Sequence, residues 1–131
     1  MDKGTILFHR TLEFKDGETG KKLLIILNTP QNSEPFLCCK TTSRQKYGLD
    51  KEGCHSNKNI YVLNPVKNCF QIRTWVQFHE IYEFNHKLFL QEHFNGSLDI
   101  ISTLPVDIIN AIVNCVKKSD DISKYHLSLL R

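Results

Sequence analysis

Gly20-Lys21-Lys22-Leu23-Leu24-Ile25-Ile26-Leu27-Asn28 and Leu37-Cys38-Cys39-Lys40-Thr41-Thr42-Ser43-Arg44 decide how this chain is read. Each is a short apolar run with cations or hydroxyls at one end. Two lysines precede the first run. Lys40, Thr41, Thr42, Ser43 and Arg44 close the second. Runs this short, bounded by polar residues and rich in aliphatics, read as buried strands. Paired antiparallel, their polar ends meet. A small barrel built on them carries a cationic, hydroxyl-rich site on one rim, suited to a phosphate and above all to a nucleic-acid backbone.

The rest of the sequence is organised around these strands. Gly4 to Phe8 predicts an opening strand, and Lys15-Asp16-Gly17-Glu18-Thr19-Gly20 a turn. Phe36 to Cys39 is the third strand, Tyr47 to Asn59 a polar excursion, and Ile60 to Leu63 a fourth strand stopped by Asn64-Pro65. Phe70, Ile72, Thr74, Val76 and Phe78 alternate with Gln71, Arg73, Trp75 and Gln77, which predicts a strand with one buried face. Trp75 on the other face suits a sheet edge or a partner surface. Glu80 to Phe84 extends this strand. In the last third the period changes. Ile108, Ile109, Ile112, Val113 and Val116 fall on one side of a helix running from about Pro105 to Lys118. Asp107 at its start and Lys117 and Lys118 at its end complement the helix dipole. Lys87 to His93 gives a weaker helical signal. The tail from Ser119 is polar until Leu127, Leu129 and Leu130, and reads as a pairing element or a frayed end.

The chain of 131 residues carries 17 Lys and Arg against 14 Asp and Glu, a net charge of +3. Its length fits one domain, with a core at about 3–118 and a tail at 119–131. The overall charge is too small to imply a polyanion partner, but its distribution is uneven. From Phe36 to Gly48, Lys40, Arg44 and Lys46 occur without a carboxylate. The aliphatic run Leu23 to Leu27 is far too short to span a bilayer, and no leader pattern is present. Five cysteines, odd in number and irregular in spacing, predict reduced thiols and a cytoplasmic protein. Cys38 and Cys39 alternate faces, which puts at least one of them in the core. His79, His86 and His93 recur every seven residues, but the first sits at a strand end, and no metal or other cofactor is expected.

Lys3-Gly4-Thr5-Ile6-Leu7, Gly20 to Asn28, Cys39-Lys40-Thr41-Thr42-Ser43, and Thr74-Trp75-Val76-Gln77-Phe78-His79-Glu80-Ile81-Tyr82-Glu83-Phe84, followed by the amphipathic helix, occur in an order that resembles the MazF/PemK family of toxin ribonucleases. The likeness covers about Lys3 to Lys118. It implies a mainly β fold, an SH3-like barrel with appended helices. It also implies metal-independent cleavage of single-stranded RNA to 2′,3′-cyclic phosphate and 5′-OH ends, a homodimer, and a cognate antitoxin. By that resemblance Lys21 and Thr41 are the catalytic candidates, with Lys22, or by a one-residue shift Thr42, as the alternative match at each position. Lys22, Lys40, Thr42, Ser43 and Arg44 are the phosphate-binding ones, with His9 and Arg10 reaching the same rim from the first strand. The chain departs from the family in two places. Lys21-Lys22 stands where an Arg, often followed by Pro, is usual, and Tyr82-Glu83 where Arg-Thr is often found. A barrel that binds RNA or protein without cleaving is the alternative these departures leave.

Overall fold

The computed structural model describes residues 1–14 and 16–131; Lys15, at the start of the predicted 15–20 turn, lies outside the described residues. Among the described residues, seven strands and three α-helices follow in the order β1 (Thr5–Glu13), β2 (Thr19–Ile26), β3 (Phe36–Thr42), β4 (Gly53–His55), β5 (Ile60–Leu63), β6 (Thr74–Phe84), α1 (His86–Phe94), β7 (Leu98–Thr103), α2 (Val106–Lys117) and α3 (Lys124–Leu129). The strands form one antiparallel sheet ordered β4-β5-β6-β3-β2-β1-β7. The protein is therefore a small, mainly β, α+β fold. The expected barrel does not close: β4 and β7 are the two edges, and no ladder joins them among the described residues.

Both faces of the central strands are covered, which explains their unbroken apolar runs. Leu24 and Ile26 of β2 point to one side, into a core with Leu7, Phe36, Cys38, Phe84 and Leu98. Phe89 of α1 seals that side. Ile25 and Leu27 point to the other, where Leu37, Cys39, Val76 and Phe78 meet Ile109, Ile112, Val113 and Val116 of α2. Cys38 and Cys39 thus enter opposite cores, both fully buried. Burial pushes the Cys39 thiol up to about 12 and raises Cys38 as well, so both behave as small apolar side chains.

α2 takes the face its periodicity predicted, with Pro105 just ahead of it. Gly4 lets the helix approach: its φ is +94°, and a Cβ there would lie 3.4 Å from the Cβ of Ile109. α1 forms over the weaker helical signal, capped by the Asn85 side chain accepting from the Leu88 N–H at 2.7 Å. The tail is neither a strand nor frayed. Ser123 caps α3, Leu129 and Leu130 are buried in the α2-side core, and Arg131 grips Glu34 through two contacts of 2.9 and 2.6 Å. That grip holds the Glu34 carboxyl down at about 2.

The predicted strand at 70–78 begins only at Thr74. Thr74, Val76 and Phe78 are buried as the alternation requires, but Ile72 lies outside the strand and is 60% exposed. Trp75 covers neither an edge nor a partner. It packs with Ile60, Val62 and Leu49, and its indole N–H donates to the Leu49 carbonyl at 2.9 Å. That bond ties the loop after β3 to β6. Between Cys39 and Lys40 the β3–β6 register skips, pairing Cys39 with Ile81 but Lys40 with Gln77. The skip bends the sheet.

One buried polar node joins the sheet to the helical layer. Asn59, at φ +56° and buried, donates from Nδ2 to Asp121 at 2.7 Å and accepts from the Ser119 hydroxyl at 2.5 Å. Asn59→Ala removes both bonds and places a Cβ-bearing residue without a compensating side chain in the left-handed region. The expected loss is about 3 kcal/mol, read by urea unfolding. A loss below about 0.5 kcal/mol, the level of an ordinary surface change, would contradict the role given to this node.

Candidate functional site

The register Leu24↔Lys40, Ile25↔Cys39, Ile26↔Cys38 confirms that β2 and β3 run antiparallel with their polar ends together. Those ends form one wall of a cleft of about 680 Å³. Lys21 and Lys22 come from β2, Thr41 and Thr42 from the end of β3, and Ser43, Arg44 and Lys46 from the loop beyond. The facing wall is Cys69, Phe70, Gln71 and Ile72, from the connection between β5 and β6, with Thr74 at the start of β6.

Among the described residues, four cations line this cleft and no carboxylate does. Among the described residues, none of Lys21, Lys22, Arg44 and Lys46 forms an ion pair. Lys22 is the most constrained. Partial burial, reinforced by the charges of Lys40, Lys46 and Arg44, holds its ammonium below the ordinary lysine range. Like charges gathered this way disfavour the charged form of Lys22, and an anion placed among them would lessen that repulsion.

The hydroxyls divide into two roles. Thr41 is buried, and its Oγ1 donates to the Leu23 carbonyl at 2.9 Å. Its proton is thus committed to holding the β2 and β3 ends together. Thr42 is half-buried, and its Oγ1 accepts from the Arg44 N–H at 3.2 Å. This local turn leads the chain back past the strand end and leaves the Thr42 hydroxyl proton free to donate. Ser43 is exposed on the same rim.

Three expected rim residues are elsewhere. Lys40 pairs with Leu24 in the sheet and therefore projects to the α1 side, where its Nζ lies 3.5 Å from Glu80 and 5.1 Å from the Phe14 ring centroid. It reaches the cleft only through its charge. His9 is 2% exposed; its Nε2 meets Glu92 of α1 at 2.8 Å and its ring stacks on Phe84. Arg10 turns toward β7, bonding the Gly96 carbonyl at 2.9 Å and Asp99 at 2.5 Å. Both residues follow from the β1–β7 pairing, which draws this end of β1 toward α1 and β7.

Lys46 enters the cleft from the carboxylate-free basic stretch already noted at 36–48, whereas the facing wall is an addition that sequence reasoning missed. The alternation had assigned Ile72 to the core, so the strand pattern concealed the wall. The wall is firmly held. Val66 and Phe70 exchange backbone bonds at 2.8 and 3.0 Å, the Thr74 hydroxyl donates to the Ile72 carbonyl at 3.1 Å, and Arg73 bonds Asp50 at 2.7 Å. Through Asp50 and Leu49 the wall is tied to the loop that carries Arg44 and Lys46.

The cysteines do not all stay reduced as expected: Cys54 of β4 and Cys115 of α2 form a disulfide, and Cys38, Cys39 and Cys69 are free. The three spaced histidines fall on two elements, His79 on β6 and His86 and His93 on α1. No group of three or more His, Cys, Asp or Glu among the described residues is arranged to hold a metal ion. No helix of the described residues is long and apolar enough to cross a membrane. Comparison with protein-family models, with curated proteins and with solved structures returns no match for this chain.

Proposed function

We propose that this protein is a metal-independent endoribonuclease of the MazF/PemK type, the toxin of a toxin–antitoxin pair, acting on single-stranded RNA in the cytoplasm. The observation that carries the reading is the convergence of four unpaired cations and two available hydroxyls, with no carboxylate, at the meeting ends of β2 and β3. The fold assignment within it, an SH3-like barrel opened at one seam, and the homodimer and antitoxin rest on the sequence resemblance.

In this mechanism the ribose 2′ oxygen attacks the adjacent phosphorus as its proton passes to a solvent water, and the bond to the 5′ oxygen breaks. Negative charge builds on the non-bridging oxygens as the P–O bond forms. Arg44 receives that charge through two parallel N–H donors, which a lysine does not offer. Thr42 and Ser43 donate hydroxyl protons to the same oxygens. Lys22, with its proton held less tightly than usual, protonates the departing 5′ oxygen. Lys21 and Lys46 steer the flanking backbone, and Thr41 holds the frame through Leu23. The products are a 2′,3′-cyclic phosphate and a 5′-OH.

Thr41's committed hydroxyl and the lysine in place of the family's Arg favour a second reading, an RNA-binding module without cleavage. Incubation with mixed-sequence single-stranded RNA in EDTA, followed by end-group analysis, separates the two. Cyclic phosphate and 5′-OH ends are expected. Intact RNA with salt-dependent binding would replace the first reading by the second, and intact RNA without binding would remove both.

A further inference from the structure

The wall facing the cations has a different chemistry. Ile72 is 60% exposed, although it is a large aliphatic residue on a segment held at both ends. Beside it, Gln71 is exposed, and its side-chain amide makes no hydrogen bond among the described residues. A free amide offers both a donor and an acceptor, which the lysines and arginine of the opposite wall do not. An apolar surface next to an unspent amide suits the flat face and polar edge of a nucleobase, and its rigidity keeps the ordering cost low. The cleft is large enough for a phosphate on one wall and the adjoining base on the other.

We propose that the Gln71–Ile72 wall is the base-reading face of the cleft: with an RNA phosphate seated on Lys22 and Arg44, the neighbouring base lies against Ile72 and the Gln71 amide hydrogen-bonds its edge. Gln71 is then the residue that sets sequence preference. This inference rests on the nucleic-acid reading of the cleft and is independent of whether the bound strand is cut.

Binding is therefore measured on uncleavable 2′-deoxy oligonucleotides of a single base each, and on an abasic strand of the same length, by fluorescence anisotropy. The wild-type protein is expected to favour one base over the weakest by about tenfold, the discrimination one good amide–base contact supplies. Gln71→Ala brings the bases to within about twofold of one another, and Ile72→Ser weakens binding of every base-bearing strand by about tenfold while leaving the abasic strand unchanged. The proposal is overturned if the base preference survives Gln71→Ala, or if the abasic strand binds wild-type protein as tightly as the others. Absence of binding to any strand overturns it together with the nucleic-acid reading. Base-dependent binding that Gln71→Ala abolishes, in a protein that leaves RNA intact, supports this inference while removing the ribonuclease reading.

Discussion

Lys22→Met combined with Arg44→Met is expected to lower cleavage of single-stranded RNA by about a thousandfold or more, since both the charge at the forming oxyanion and the proton for the leaving oxygen are removed. The same variant reads out in binding. Each phosphate contact to a single strand contributes about 0.7 to the slope of log affinity against log salt, so losing two flattens the slope by about 1.4. An unchanged slope would show that the backbone does not lie on these side chains. Lys22 also gives the binding a pH signature. Its ammonium is held below the ordinary lysine range in the free protein by burial and by Lys40, Lys46 and Arg44. A bound phosphate favours the charged form, so binding takes up a proton. Affinity is therefore full below the free-protein pKa of Lys22 and declines as pH rises through it, earlier than an ordinary lysine would permit. Lys22→Arg removes that early decline, because a guanidinium stays charged throughout.

Reduction of the Cys54–Cys115 disulfide is the second large effect. The bond spans a sequence separation of 61 residues and joins the short edge strand β4 to the buried side of α2. In the chain-entropy account, closing a loop of this length stabilises the folded state by about 4 kcal/mol. For a domain of this size that corresponds to roughly 15 °C in thermal midpoint. Scanning calorimetry of the wild type with and without dithiothreitol measures it, and Cys54→Ser without reductant should reproduce the lower midpoint. Equal midpoints in all three would show that α2 and β4 are held together by packing alone. Disulfides are uncommon in a reducing compartment, so under the proposed cytoplasmic location the midpoint in reductant is the one that applies.

The central strands and α2 were legible because burial on two faces or one leaves a plain pattern: an unbroken run in β2, a helical stripe in 108–116. The cleft's cationic wall was legible for the same reason, since two strand ends that are polar in sequence must meet once the strands pair. His9 and Arg10 were misplaced because nearness to a strand end does not say which neighbour claims that end, and β7 was not foreseen. Its Ile100 and Ile101 are both half-exposed on an edge, so no alternation announced it. β4 is three residues long and α3 six, too short for periodicity to register. Ile72 followed the alternation of β6 into a predicted core, but Thr74 begins the strand, and a pattern of apolar residues does not mark where pairing stops. The partnership of Cys54 with Cys115 depends on bringing β4 under α2, a tertiary fact with no local trace.

The indole–carbonyl bond from Trp75 to Leu49 gives the molecule a built-in optical probe. Trp75 is the chain's only tryptophan, nearly buried, and attached to the loop that delivers Arg44 and Lys46 to the cleft. Its emission colour depends on how dry the indole is and on whether its N–H keeps that partner. Any displacement of that loop would therefore alter the fluorescence of a single residue that does not line the cleft. Such a displacement could be followed in the unlabelled protein, in real time, without touching the side chains of the cleft.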